Sequence, residues 1–577
     1  MKKTLILDTP KMETAAKRPP VSREIEEGKI PLNLVSFAKG KSFYIRTYGC
    51  QANYRDEETM AGYLTKAGFQ KTLDPSKADI AIINTCAVRE NAEEKIYGEI
   101  GTFKANKEKN PSFILVLAGC VMGEEGVANK LLATYPFISL VIGTHEVHKL
   151  LPLLSEVVAK RASIISSSSF SSEVIENMPS QRLSPFEAYV NISYGCDKFC
   201  TYCIVPYTRG RERSRKKEDV LKECKELVEL GYKQITLLGQ NVNSYGLDFK
   251  DGTNFASLLR DVASLGIPRL RFLTSYPSQF TDETIEVMSQ FPNIMPALHF
   301  PVQSGSSSTL RRMGRRYNRE EYLNVVSRIK AKIPNIALTT DIIVGFPYET
   351  EEEFEETLSL CEEVKYSSAF TFIYSPRPNT PAAKMEQLPR DIVQKRFVRL
   401  KALIDKLTEE SSKEMVGQTV SVLVEGPSKK DPNKLSGYSE NGKLVHFIGP
   451  AYLTGAIVPV KIEESKVYSL HGTLQIDPLI AKAKDVAYIM SKDPLLNEFK
   501  NLSEALSNNE ELKKIKEEYI EKKKALALSL GKEDYQEKKA EFLAFQNSIK
   551  ENPFLVNAHN MLPEVRAELE NLLRLFR

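Results

Sequence analysis

No stretch of this 577-residue chain approaches the apolar length needed to span a bilayer, and Met1-Lys-Lys-Thr-Leu-Ile-Leu-Asp8 holds too short an apolar run for a secretory signal. A cytoplasmic protein without a membrane span is the expectation. Net charge is equally scarce: 79 Lys and Arg against 75 Asp and Glu leave +4, so the global balance does not announce nucleic-acid binding. Any basic surface must be local. Cysteine is sparse too, with eight in the chain, and in a reducing compartment these do not read as a disulfide framework. Clustered cysteines are then better read as metal ligands. Cys224 and Cys361, in helix-like segments, read as small core residues. What remains is ordinary: 42% hydrophobic and 27% charged residues describe a soluble protein, long enough for three or four domains.

Three of the cysteines, Cys196, Cys200 and Cys203, form a Cys-x3-Cys-x2-Cys run directly after the apolar alternating stretch 188–193. Three thiolates suit three of the four irons of a [4Fe-4S] cube, leaving one iron free for something that is not protein. A zinc site short of one ligand, or three packed thiols, are the plain alternatives. Zinc motifs usually come as paired Cys or Cys/His arms, and no histidine neighbours this run.

Along the chain, residues 1–40 mix Pro, Lys and Glu without periodicity and read as a mobile leader. From residue 41 to 160 short apolar strands alternate with helices, the pattern of a parallel sheet. Cys50, Cys86 and Cys120 each fall within about two residues of a strand end, and in an open α/β sheet those ends share one edge where ligands are held. The three should converge on a second cluster, although each alone could be a core thiol. Residues 161–183 are Ser-rich and look like a linker. The pattern restarts over 184–412 with six strand-like runs, at 188–193, 234–238, 269–274, 297–302, 337–344 and 369–374, separated by amphipathic helices. This fits a partial (β/α)6 barrel with its working face at the carboxyl ends of the strands. Residues 413–476 read as a small β-barrel, and 477–577 as Lys- and Glu-rich helices that Pro553 divides into at least two.

The run Asn191-Ile-Ser-Tyr-Gly-Cys-Asp-Lys-Phe-Cys-Thr-Tyr-Cys-Ile-Val-Pro-Tyr-Thr-Arg-Gly-Arg-Glu-Arg-Ser-Arg215 resembles the radical S-adenosylmethionine signature of methylthiotransferases. Thr47-Tyr-Gly-Cys-Gln51, Asn84-Thr-Cys-Ala-Val-Arg89 and Gly119-Cys-Val121 extend the resemblance to their amino-terminal domain, so that it covers roughly residues 41–476. It implies two [4Fe-4S] clusters. One on Cys196, Cys200 and Cys203 would bind S-adenosylmethionine through its open iron, and an auxiliary one on Cys50, Cys86 and Cys120 would carry the transferred sulfur. Gly239-Gln-Asn-Val-Asn-Ser-Tyr-Gly246 resembles the MiaB-type tRNA-modifying branch, which implies methylthiolation of N6-dimethylallyladenosine beside the anticodon. Other modified adenosines, a ribosomal protein, or a noncatalytic iron-sulfur RNA-binding role are the alternatives.

Strand-end residues Tyr202, Gly239, Gln240, Gln303, Ser304, Gly345 and Pro347 are candidates for holding S-adenosylmethionine, since small and Gly-rich turns permit close approach to a nucleoside. Read without the resemblance, each is equally a turn that needs Gly, and His299 is as readily a satisfied barrel histidine as a functional one. Arg209, Arg211, Arg213 and Arg215, with Lys216 and Lys217, and Arg311, Arg312, Arg315 and Arg316 follow barrel strands and could rim the mouth to grip tRNA phosphates. The small barrel resembles a TRAM domain, but Gly437-Tyr-Ser-Glu440 stands where such domains commonly carry a Gly-Arg-x-Arg-like run, so basic contacts should come from Lys429, Lys430, Lys434 or Lys443. The implied partners are the tRNA anticodon stem-loop and an electron-donor protein. The tail faintly resembles the small helical YlbF-type regulatory proteins and could take a protein partner, or pack as plain solvated helices.

Overall fold

The computed structural model describes residues 4–10, 20–25, 29–87, 90–168, 171–476, 478–550 and 552–574. The chain divides into two compact units, Met1–Phe447 with Gly455–Thr473, and Ile448–Thr454 with Leu474–Arg577.

The larger unit begins with strands β1 (Thr4–Asp8), β2 (Ser22–Ile25), β3 (Ser42–Tyr48), β4 (Gln70–Lys71), β5 (Ile80–Thr85), β6 (Ile114–Gly119), β7 (Leu140–Ile142), β8 (Ser163–Ser166) and β9 (Glu173–Glu176). Seven form one sheet in the order β1-β8-β7-β6-β5-β3-β4, with every pairing parallel. Strands β5 and β6 are buried along their whole length, which is why both are largely apolar, with Asn84 and Thr85 ending β5 as buried polar residues. Alternate residues supply two cores. Ile80 and Ile82 pack with Met60 and Leu64 of helix Gln51–Lys66, while Ala81 and Ile83 pack with Ile96 and Ile100 of helix Glu90–Thr102.

The leader and the linker differ from the sequence reading. Among the described residues of 1–40, β1 extends the sheet beside β8, β2 pairs with β9, and helix Leu32–Ala38 buries Leu34 and Ala38. Strand β1 is an edge strand with little burial, so its pairing is carried by backbone groups that leave no apolar periodicity. The Ser-rich segment carries β8, fully buried. Its serines fit there because Ser163 Oγ donates to the Ile138 carbonyl at 2.7 Å and Ser167 Oγ to the Met122 carbonyl at 2.5 Å. Leader residues 1–3, 11–19 and 26–28, linker residues 169–170, and Val88 and Arg89 of the second cysteine motif lie outside the described residues.

The next part contains β10 (Glu187–Asn191), β11 (Ser193–Tyr194), β12 (Arg213–Ser214), β13 (Gln234–Leu238), β14 (Arg269–Phe272), β15 (Ala297–His299), β16 (Ala337–Val344) and β17 (Ser368–Ile373). Parallel sheets β10-β13-β14 and β15-β16-β17 are linked by a bridge between Leu270 and Ile294, giving the six parallel strands of a partial barrel wrapped by helices. Helix Arg390–Lys413 packs on β17 and leads to β18 (Thr419–Pro427), β19 (Leu435–Ser439), β20 (Leu444–Ile448), β21 (Ile457–Lys466) and β22 (Ser469–Leu474), a closed barrel in the order β18-β19-β20-β22-β21.

The second unit is helical, with helices Pro478–Lys492, Pro494–Asn508, Glu510–Leu528, Tyr535–Ile549 and Pro553–Arg574. Asp493 and Asn509 cap two of them through side-chain oxygens, and the Tyr519 and Phe542 rings meet at 5.3 Å. Among the described residues, no helix is long and apolar enough to cross a membrane.

Candidate metal centres

Strand register brings the first three cysteines together. Tyr48 is level with Thr85 and Thr85 with Gly119, so Cys50, Cys86 and Cys120 leave three adjacent strands at one edge. The close approach depends on glycine. A Cβ on Gly49 would lie 2.9 Å from Cys86 Cβ, and one on Gly119, at φ +100°, would lie 2.2 Å from the Thr85 carbonyl oxygen. Beneath the triplet, buried Asn53 donates to the Thr85 carbonyl at 3.2 Å, and Asn84 donates to the Asn53 carbonyl at 2.8 Å, tying the loops to one another. A hydrogen bond from Cys86 is the largest influence lowering the Cys50 thiol, to about 5, and the charge of Arg209 lowers it further. Burial raises the Cys120 thiol, against that same charge.

Cys196, Cys200 and Cys203 sit in the loop after β11, at the carboxyl end of the barrel. Gly195, at φ +77°, leaves no room for a Cβ, which would lie 2.2 Å from the Arg211 carbonyl oxygen. Gly195 N–H donates to Gln240 Oε1, Cys196 N–H to the Gly210 carbonyl at 3.1 Å, and Cys203 N–H to the Cys200 carbonyl at 2.9 Å. Thr201 fixes the middle of the loop, donating from N–H to Met313 and from Oγ1 to Arg312, both carbonyls, at 2.9 and 2.8 Å. Burial pushes the Cys203 thiol up to about 12 and the Cys196 thiol up as well, with the mutual charge of the three thiols adding to it. A site that disfavours bare thiolates this way gains from a cationic core to neutralise them.

The donor sets fit iron-sulfur cubes. Among the described residues, none of the six cysteines is in a disulfide. Among the described residues no three His, Cys, Asp or Glu side chains converge on a single-ion site, and a cube asks for less convergence, since each thiolate takes its own iron.

A short helix, Val205–Thr208, follows the second triplet and packs on the turn Cys120–Gly123, which carries a cysteine of the first. Ile204 is buried in the core of the amino-terminal domain, and Thr144 Oγ1 donates to the Thr208 carbonyl at 3.0 Å. Directly after this helix, Arg209 directs Nε at Cys120 Sγ, 3.1 Å away, and Nη2 at Asp56 Oδ2, 2.7 Å away. A residue from the loop of one triplet thus contacts a sulfur of the other.

The sequence candidates for S-adenosylmethionine divide. Gln240 positions the cysteine loop, and Gly239 approaches Ser193 so closely that a Cβ would lie 2.6 Å from its hydroxyl. Tyr202, packed on Phe346, and Gln303, at φ +73° and bridged to β16, lie at the same barrel end. Ser304 is corrected: it is fully buried, and its hydroxyl bonds Thr357 at 3.2 Å and accepts from Ser306 N–H, so it does not open on the barrel mouth. Gly345, at φ +72°, is required by helix Arg390–Lys413, because a Cβ there would meet Val393 at 2.6 Å. Pro347 is buried in the same turn, which Glu349 and Arg396 pin at 3.1 Å. Both ring nitrogens of His299 have partners, Thr339 at 3.0 Å and Asp341 at 3.3 Å.

Most of the arginines expected at tRNA are instead internal struts. Arg209, Arg213 and Arg215 are buried. Arg215 pairs with Glu176 and Glu223, each at 2.6 Å, and Arg312 with Glu353. Arg315 lies over the Tyr276 ring at 4.3 Å and donates to the Pro301 carbonyl at 2.9 Å. A buried guanidinium such as that of Arg209, Arg213 or Arg215 is turned away from a phosphate in solvent, and a sequence of charges looks the same whether it faces water or carboxylates. Arg211, paired with Asp197 at 2.6 Å, is half-buried, and Arg316 is exposed. Lys443 is also corrected, being buried with Nζ donating to the Ser367 carbonyl at 2.8 Å. Asp56, Glu223 and the Asn53–Asn84 lock were missed from sequence; Asp56, six residues beyond Cys50 on the same helix, was the available signal.

Residues 190–361 match the Radical SAM superfamily, residues 42–143 the Uncharacterized protein family UPF0004 and residues 413–474 the TRAM domain. The fold and the loop cysteines therefore define a radical S-adenosylmethionine protein that carries a TRAM barrel. A tRNA-2-methylthio-N(6)-dimethylallyladenosine synthase of Bacillus subtilis (strain 168) is 50% identical over 448 residues, covering 77% of this chain and 88% of the relative. Those of Bacillus cytotoxicus and Staphylococcus haemolyticus are 47% identical over 480 residues (83% and 94%) and 51% over 439 (76% and 85%). The chain belongs to the tRNA-2-methylthio-N(6)-dimethylallyladenosine synthase family.

Proposed function

We propose that this protein converts N6-dimethylallyladenosine beside the tRNA anticodon to its 2-methylthio derivative, in the cytoplasm, drawing electrons from a donor protein. The observation that carries the reading is the Arg209 contact, which joins the loop after one cysteine triplet to a sulfur of the other within a single compact unit. With two [4Fe-4S] clusters and S-adenosylmethionine bound, the cofactors supply the radical, the methyl group and the sulfur. The chain's own share is positional. Cys196, Cys200 and Cys203 would hold the radical-generating cluster, and Cys50, Cys86 and Cys120 the auxiliary one. Tyr202, Gly239, Gln240 and Gln303 would shape the edge of the S-adenosylmethionine site, and burial around the cysteine loop would keep water from reactive species.

For RNA, the TRAM barrel offers a face on which the His446 and His471 rings stack at 5.3 Å amid Lys430, Lys434 and Lys466. Flat rings among cations suit unpaired nucleotides and their phosphates. Lys429, Arg211 and Arg316 would add contacts. The helices of residues 478–574 would serve a protein partner.

Anaerobic reconstitution tests the reading. About eight irons per chain, with S-adenosylmethionine cleaved on reduction, is the expected result. Nucleoside mass spectrometry of tRNA from a deletion strain should then lack methylthio-adenosine; an unchanged profile would remove the substrate.

A further inference from the structure

Arg209 is 6% exposed and belongs to the barrel loop, six residues beyond Cys203, yet both of its polar contacts lie in the amino-terminal domain. Nε addresses Cys120 Sγ at 3.1 Å and Nη2 addresses Asp56 Oδ2 at 2.7 Å. The carboxylate comes from helix Gln51–Lys66, which begins directly after Cys50. A buried guanidinium held between a cysteine sulfur and a carboxylate is a pre-oriented donor, because its planar fork fixes one N–H once the other end is clamped. The arrangement is general second-shell chemistry in which a hydrogen bond fixes and tunes a metal ligand.

We propose that Arg209 is a positioning residue that donates Nε–H to the cluster-bound thiolate of Cys120 and so raises the reduction potential of the auxiliary cluster. The inference rests on the two-cluster reading above. Reduction adds negative charge to a cluster, and an N–H directed at its ligating sulfur stabilises that charge, so the donor favours the reduced state. Asp56 offsets part of the guanidinium's net charge but leaves the Nε–H dipole aimed at sulfur. Its task is orientation. The same contact gives the auxiliary cluster an electrostatic signature that depends on the barrel loop being in place.

The test uses the full-length chain with Cys196, Cys200 and Cys203 all replaced by Ala, so that a single cluster remains, reconstituted anaerobically and titrated by EPR. Relative to Arg209, Arg209→Met should give a more negative midpoint potential, and Arg209→Lys, which keeps the charge but not the fork, an intermediate one. A merely structural role would act by admitting water, which moves the potential upward, so the sign separates the two. Arg209→Gln is measured alongside, so that misfolding of one variant leaves the comparison intact. An unchanged or raised potential in variants holding four irons would overturn the proposal. Failure of the triplet to load any cluster with Arg209 present would overturn the two-cluster reading first, and this with it.

Discussion

Arg55, on the amino-terminal domain's helix Gln51–Lys66, lies 3.2 Å from Glu223, on the barrel helix Lys217–Glu229. The same carboxylate also accepts from Arg182 at 2.7 Å and Arg215 at 2.6 Å, so one buried anion gathers three guanidinium groups from both sides of the domain contact. Together these hold the Glu223 carboxyl far below the usual carboxylate range, although burial alone would raise it. A depressed folded-state value stabilises the fold above the unfolded carboxylate range and loses that contribution only as pH falls through the folded one. Glu223→Gln should therefore lower stability at neutral pH by about 1–3 kcal/mol, because three guanidinium groups lose a shared carboxylate while Glu58 and Glu176 still pair with them. Denaturant unfolding checks this; a loss below about 1 kcal/mol would contradict the strut.

The division of labour between triplets is separable by mutation. Cys200→Ala should abolish reductive cleavage of S-adenosylmethionine, while Cys86→Ala should spare some cleavage and stop sulfur insertion. Product analysis by mass spectrometry distinguishes them. Equal and complete loss of cleavage in both folded variants would go against it.

Gly119→Ala should remove the auxiliary cluster selectively. The added Cβ meets the Thr85 carbonyl at 2.2 Å in a backbone conformation at φ +100°. Strain of that kind costs about 1–3 kcal/mol, and here it is relieved by moving Cys120 away from Cys86. Iron per chain after reconstitution should fall from about eight to about four, with cleavage of S-adenosylmethionine retained. Full iron content would show the glycine to be dispensable.

On the TRAM barrel, replacing Lys430, Lys434 and Lys466 by Ala together should weaken tRNA binding. The slope of log K against log salt should fall by about 2, since each phosphate contact contributes about 0.7–0.9. Fluorescence titration across a salt series reads both. An unaltered slope would place the RNA elsewhere.

The cysteine geometry was legible because it needs only strand ends. Short apolar runs mark β3, β5 and β6, and a parallel register aligns whatever follows them, so Cys50, Cys86 and Cys120 could be brought together without side-chain detail. The arginines were misread for the complementary reason. Whether Arg215 meets water or Glu176 depends on segments 39 residues apart in sequence, and no local pattern carries that. Lys443 reverses for the same cause, its partner Ser367 lying 76 residues away. Strand β8 was hidden by its serines, whose hydroxyls are satisfied by carbonyls of neighbouring chain segments rather than by solvent.

The span from Cys203 to Arg209 is anchored at one end by the barrel-mouth cysteine loop and at the other by Asp56 and Cys120, with helix Val205–Thr208 seated between. It therefore works as a molecular ruler. Adding or deleting a residue would shift its far end by about 1.5 Å and rotate it by roughly 100°, taking the guanidinium off the sulfur altogether. The length of the span matters as much as its buried side chains, so the distance between the two cysteine triplets is written into the chain as a count of residues.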